Sequence, residues 1–394
     1  MKRDDLKHVG HNIILLGIVS FLNDLSSEMI MPILPLFIAS LGGGGLAVGL
    51  ISGLRESIAS ILKILSGWFS DRTGRRKALV FSGYLTSASF KLLLAFSTAW
   101  QQVLIFTGLE RVGKGLRTAP RDAIISDSLP AERGRGFGIH RAMDTAGAVV
   151  GSLAVFFLFW SAGLSFVSII LIAAVFSFFS LIPLAWVKEK KAKPRPVSLG
   201  LGLSTLPKDL RKFILVSSVF SLANFSYMFF ILRTQDLFTG KLAVGVPILL
   251  YVLFNIFYAL FAIPFGSLSD RLGRRTVIAI GYVLFSLTAL GFVLFDSLAA
   301  FIILFALYGI SYAIIDGNQR AYVADLSSKR LRATALGTFH AAIGLSALPA
   351  GLMAGLLWKI APGFTFLFGS LVSLVSAMML LSPFLSAGRS HQSG

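Results

Sequence analysis

Ionisable residues recur at helical spacing inside stretches of this chain that are otherwise apolar. Asp24 and Glu28 lie one turn apart, and Arg55 and Glu56 are adjacent in the next stretch. Further on come Glu110, Arg111, Lys114, Arg117 and Arg121, of which 110, 114, 117 and 121 follow the spacing of one helix face. Arg141 and Asp144 follow in the next stretch. Two chemistries suit these residue types. Asp24, Glu28, Glu56 and Asp144 are candidate proton carriers, because burial and neighbouring charge together tune the proton affinity of a carboxyl. Arg111, Lys114, Arg117 and Arg141 form a cationic group suited to a carboxylate or phosphate. Arginine serves by planar bidentate hydrogen bonds and lysine as a point charge. An anionic or zwitterionic solute is the expected ligand.

The second half of the chain is less charged and more aromatic. Asn224 with Tyr227, then Tyr251, Asn255 and Tyr258, then Tyr308, Tyr312 and Asp316 each keep helical spacing. Tyrosine and asparagine at such spacing stack on and hydrogen-bond a solute, and tyrosines equally serve as packing between helices. Asp316, Arg320 and His340 are expected to face a cavity, and Arg233 with Asp236 to pair near the outer end of their helix. Lys91 is expected to snorkel on a peripheral helix. His8 and His11 have the spacing of a metal pair but sit in a polar tail, so no metal site is expected.

Composition dictates what must hold these groups. The chain is 55% apolar and 14% charged, with a mean hydropathy of +0.81; soluble domains carry about 25% charge. Lipid is therefore the solvent for most of it. A spanning helix needs about 20 apolar residues. Apolar runs predict helices at 12–40, 44–70, 77–97, 99–122, 136–160, 164–187, 211–238, 241–269, 276–296, 298–322, 333–358 and 364–386. The expected fold is an all-α membrane protein with twelve transmembrane helices in two six-helix bundles, 1–187 and 211–394. Residues 188–210, rich in Lys, Pro, Gly and Ser, form a cytoplasmic linker between them. A charge at a helix centre costs roughly 2.5–3.5 kcal/mol, so the clusters above must be paired or face water. The alternative to a cavity is an internal salt-bridge network, such as Glu110 with Lys114, that holds the first bundle together.

The net charge of +18 would suit nucleic acid, but its placement argues for topology. Basic residues concentrate at the termini and in alternate connections, including Lys77, Lys188, Lys190, Lys191, Lys193, Arg275, Lys329, Arg330 and Arg332. The opposite loops hold only Lys241 and Lys359, which predicts two cytoplasmic termini and no nucleic-acid partner. The charged start followed by a long apolar stretch reads as a retained first span. Cysteine is absent, which excludes disulfides and thiol chemistry. No phosphate-binding glycine loop, zinc motif or nucleophile elbow occurs, so neither an enzyme nor ATP use is expected.

A short charged loop, 67–77, recurs 199 positions later at 266–276 with seven of eleven residues identical. The repeat places Gly67, Asp71, Arg72, Gly74, Arg75 and Arg76 opposite Gly266, Asp270, Arg271, Gly273, Arg274 and Arg275. Residues 123–127 match 321–325 at a spacing of 198, and 138–142 match 337–341 at 199, so the halves are an internal duplication. The glycines allow close helix approach and a tight turn, and Asp71 suits a neighbouring helix N-terminus. Asp127 is the expected partner of Arg72 or Arg75, and Asp325 its counterpart in the second half.

With these motifs the chain resembles a twelve-helix member of the major facilitator superfamily over nearly its whole length. Residues 67–77 match the family's loop between helices 2 and 3, and 266–276 its weaker echo between helices 8 and 9. Arg111, Gly115 and Ala119 fit the family's helix 4 arginine motif, and Pro32 with Pro35 the end of helix 1 in proton-coupled drug antiporters. The pattern departs at Lys114, where glutamine is usual, at Arg117, where a small residue is usual, and at Ser152, where the antiporter signature has proline beyond Gly147 and Gly151. These departures weaken an efflux assignment. The resemblance implies that the charged loop stabilises an outward-open state and breaks when the cytoplasmic side opens. It also implies a secondary active transporter of the inner membrane, driven by a proton gradient without a bound cofactor. Such a protein works by alternating access, within the lipid bilayer and as a monomer. Alternatives are an exporter of drugs or of amphiphiles such as lysolipids, and a passive facilitator.

Overall fold

The computed structural model describes residues 3–128, 133–189, 206–328 and 331–382. Most of the predicted linker, 190–205, lies outside them, as do Lys329 and Arg330. Among the described residues the regular structure is entirely helical. The helices are α1 (Arg3–Ile30), α2 (Leu34–Ser40), α3 (Gly45–Thr73), α4 (Arg76–Leu94), α5 (Trp100–Ser128), α6 (Arg133–Trp160), α7 (Phe166–Phe179) and α8 (Leu181–Trp186). They continue as α9 (Lys208–Ala223), α10 (Tyr227–Gln235), α11 (Leu242–Leu272), α12 (Arg274–Leu294), α13 (Leu298–Asp325), α14 (Arg332–Ile360) and α15 (Pro362–Leu381).

Three predicted helices are broken. The first divides into α1 and α2 at 31–33, where Pro32 and Pro35 remove backbone donors. The sixth divides into α7 and α8 at Ser180, and the seventh into α9 and α10 at 224–226. Ten segments are long and apolar enough to cross a bilayer, and α4 and α5 are not among them. In α5 the reason is the run of Glu110, Arg111, Lys114, Arg117, Arg121 and Asp122.

The chain divides into two compact units, Met1–Gly43 with Ile58–Leu199, and Gly44–Ser57 with Gly200–Gly394. Small residues set the helix crossings in both. In the first unit α1 meets α6 where a Cβ on Gly147 or Gly151 would strike the Phe21 or Leu25 carbonyl. There α4 meets α5 through Gly83 and Gly113, each against the other's carbonyl. In the second unit Gly309 of α13 is packed onto the Phe254 carbonyl of α11. Helix α3 contributes to both units. Its first half packs Gly49 and Gly53 against Gly351 and Leu348 of α14, and Ser57 donates to the Gly344 carbonyl at 2.6 Å. Its second half packs Leu62 on Gly115 of α5, and Ser66 donates to the Gly115 carbonyl at 2.8 Å.

Candidate functional site

The first unit gathers its charges among α1, α4, α5 and α6. Asp24 of α1 and Asp144 of α6 lie close enough to feel each other's charge, and Ser20 donates to Asp144 at 2.7 Å. Two neighbouring carboxyls repel each other when both are ionised. Arg141 pairs with Asp144 at 3.1 Å from an exposed position, and Ser152 stands 3.5 Å from Glu28. The serine that replaces the antiporter proline thus faces a carboxyl.

On α5 the predicted single face is divided. Glu110, Arg111 and Arg117 are buried, whereas Lys114 is exposed and Arg121, half-buried, pairs with Asp122 at 2.9 Å. Glu110 pairs with its neighbour Arg111 at 3.3 Å. Both side chains are turned into the bundle, away from solvent. Arg117 donates to Ser87 and lies over the Tyr84 ring at 4.3 Å, a cation–π contact inside the bundle.

Lys91 is the main residue that sequence reasoning misplaced. It is 2% exposed, and its ammonium donates to Ser26 at 3.0 Å, Ser27 at 2.9 Å and the Asn23 carbonyl at 3.4 Å. Snorkelling requires an outward face, and α4 turns this one onto α1. The available signal was the polar stripe Asn23, Ser26 and Ser27 beside Asp24. His140 of α6, buried with its Nε2 bonded to no described residue, was likewise not singled out.

The second unit replaces charge with rings. Tyr308 is buried and stacks on Phe230 at 4.3 Å and Phe254 at 4.6 Å, which makes it a core residue. Tyr227 and Tyr251 approach to 5.0 Å, and Tyr312 meets Tyr258 edge-on at 5.7 Å. Asn224, at the break between α9 and α10, adjoins Tyr312. Asp316 accepts from Tyr258 at 2.9 Å and pairs with Arg320 one turn on. Asn255 and His340 are half-buried. In the portion of α3 belonging to this unit, Arg55 is buried and Glu56 exposed. Arg233 pairs with Asp296 in the α12–α13 connection, which corrects the expected pairing with Asp236. Asp236 follows the end of α10, and burial pushes its carboxyl above the usual range, with Arg233 opposing.

The two charged loops are alike in design and offset in detail. Gly74 and Gly273 adopt φ of 67° and 89°, the left-handed turn expected of them. Gly67 packs tightly on Ala119, whereas nothing closes on Gly266. In the first loop Arg76 pairs with Asp127 and lies 3.7 Å from Asp71. Arg72 stands over the Trp68 ring at 5.3 Å, so neither Arg72 nor Arg75 is the partner of Asp127. In the second loop Arg274, the repeat counterpart of Arg75, pairs with Asp325 and with Asp270 at 2.7 Å. Both arginine–aspartate pairs are separated by 51 residues. What the hairpin preserves is that separation, because the helix pair sets which arginine reaches the aspartate. The start of the predicted linker is docked here too. Asn12 exchanges bonds of 2.8 and 2.9 Å with the Lys188 backbone, and Glu189 accepts from the Arg76 amide at the N-terminus of α4.

Residues 16–247 and 214–393 match the family model of the Major Facilitator Superfamily. The chain belongs to the major facilitator superfamily. An MFS-type transporter of Methanocaldococcus jannaschii, itself uncharacterised, is 54% identical over 95% of both chains. The multidrug resistance protein MdtH of Cronobacter sakazakii is 36% identical over 30% of this chain and 29% of its own. The crystal structure of a point mutant of the nucleoside transporter NupG superposes with a TM-score of 0.82 at 17% identity, covering 94% of this chain and 98% of that chain. The superfamily motifs fall where its architecture needs them. Arg111 is buried beside Glu110, Gly115 is packed on α3, and the paired loops close on the ends of α5 and α13. The protein is a multi-pass membrane transporter of this superfamily.

Proposed function

We propose that this transporter is a secondary active carrier of a small anionic or zwitterionic organic solute, coupled to protons and working by alternating access. It has twelve spans in the cytoplasmic membrane with both termini inside, acts as a monomer and draws on the proton gradient rather than a bound cofactor. The observation that carries the reading is the closeness of Asp24 and Asp144, beside Lys91, Arg111, Lys114 and Arg117. A carboxyl pair that holds one proton has a ready means to release it. The cations around it outnumber the carboxylates left ionised, which favours an anionic group on the solute. The charged loops act as latches that open and re-form in each cycle. The likeness to MdtH over part of the chain, with the helix break at Pro32, supports drug export as a second reading.

The test is purified protein in sealed vesicles with a pH dye inside, offered organic anions and lipophilic cations in turn. Anions are expected to enter with a change in internal pH. Movement of cations alone overturns the anion assignment, and solute movement without a pH change makes the protein a passive facilitator.

A further inference from the structure

The second unit contains a set of polar atoms that its own packing leaves unused. Asn224 Oδ1 and Asn255 Nδ2 are buried and hydrogen-bond to no described residue. One is an acceptor and the other a donor, and burying either without a partner costs free energy in the folded protein. Aromatic contacts bring them to one region. Asn224 lies three residues before Tyr227 across the break between α9 and α10, Asn255 follows Tyr251 by one turn of α11, and the rings of Tyr227 and Tyr251 lie 5.0 Å apart. Tyr312 stands between the two sides, since Asn224 adjoins it and Phe254, which precedes Asn255 in the chain, meets its ring edge-on at 5.7 Å.

The backbone makes the same point independently. The helix is broken at 224–226, with Asn224 ending α9 and Ser226 capping α10 through a 3.3 Å bond from the Met228 amide. Interrupted helices in transporters are tolerated where they serve a binding site. No proline causes this break, so it has no local reason of the kind that divides α1 from α2.

We propose that Asn224 and Asn255, walled by Tyr227, Tyr251 and Tyr312, form a subsite for a neutral planar ring or amide that presents a hydrogen-bond donor beside an acceptor. The asparagines supply the complementary acceptor and donor, and the tyrosines stack on the flat faces. The proposal rests on the carrier reading above and adds the neutral part of the solute to it.

The test is the thermal melt of the purified full-length protein with uracil and nicotinamide as planar probes and cyclohexanol as the non-planar control, since a ligand of the native state raises its stability. Both probes are expected to raise the melting temperature and cyclohexanol to leave it unchanged. Asn255→Leu and Asn224→Leu are expected to raise the concentration needed for half the shift at least tenfold. Asn255→Leu is also expected to melt no lower than wild type without probe, because it removes an unused buried donor. Tyr227→Phe, which keeps the ring, covers the case in which a leucine variant does not fold, and should retain the shift while Tyr227→Ala loses it. No shift with wild type, an equal shift with cyclohexanol, or an undiminished shift in the variants overturns the subsite. Proton-linked solute uptake by the same preparation in vesicles reports separately on the carrier reading, which survives any of those results.

Discussion

The two units carry the same duplicated helix plan and hold themselves together by opposite chemistry. Inside the first, Lys91, Arg117 and the Glu110–Arg111 pair are buried among serine hydroxyls and one tyrosine ring. Inside the second, aromatic rings pack edge-on and stacked around Phe230 and Tyr308. Aromatic packing is short-ranged and insensitive to pH, whereas a charged interior responds to every proton and ion that reaches it. Duplication therefore supplied two similar scaffolds, and divergence gave one a charged interior and the other an aromatic one.

The sharpest way to break that comparison is to remove one anchor from each side. Glu110→Ala strands buried cations and is expected to destabilise the protein by about 3–5 kcal/mol, and Phe230→Ala to do so by about 3–5 kcal/mol through a core cavity. Melting curves of the two variants across pH should diverge, with only the first changing its pH dependence; parallel curves would remove the distinction. Next in size, Asp24→Asn keeps a hydrogen-bonding group for Asp144 but no exchangeable carboxyl proton. Solute exchange across vesicles is expected to persist while gradient-driven accumulation falls roughly 100-fold, at the lower end of the range for losing a proton-transfer group.

The offset latches offer a smaller and more selective test. Arg76→Gln in the first loop and Arg274→Gln in the second should each slow transport by about tenfold, equivalent to roughly 1.4 kcal/mol, whereas Arg75→Gln should leave the Asp127 contact intact. If Arg75→Gln equals Arg76→Gln, the one-residue offset has no functional meaning. The smallest effect belongs to Asp236. Burial raises its carboxyl above the usual range, so below that range the neutral group costs nothing, and stability is lost as pH rises through the elevated value. Asp236→Asn should therefore melt slightly higher than wild type at neutral pH and equally in acid.

Much of this was legible from residue order. The predicted runs coincide with the observed helices apart from the three breaks, and Pro32 announces the first of those. The offset of the latches was also visible, because Asp71 and Asp270 are 199 apart while Asp127 and Asp325 are 198 apart. Lys91 was harder. A lysine near the end of an amphipathic helix is equally consistent with snorkelling and with burial, and periodicity does not say which neighbour its face will meet. The division of the α5 face had the same cause, since Lys114 and Arg117 lie within one turn of each other and only the packing on α4 buries the second.

Sequence by itself determined the solvent, the helical content, the duplication and the superfamily, because hydropathy and repeat spacing are properties of residue order. Tertiary structure alone decided which arginine meets Asp127 and which meets Asp325, that Lys91 rests on the serines of α1, that Asp24 and Asp144 are neighbours, and that two asparagine groups are left unused. Each of these depends on the rotation and depth of one helix against another. Those are set by close contacts at residues such as Gly83, Gly113 and Gly147, where an ångström decides which side chains meet.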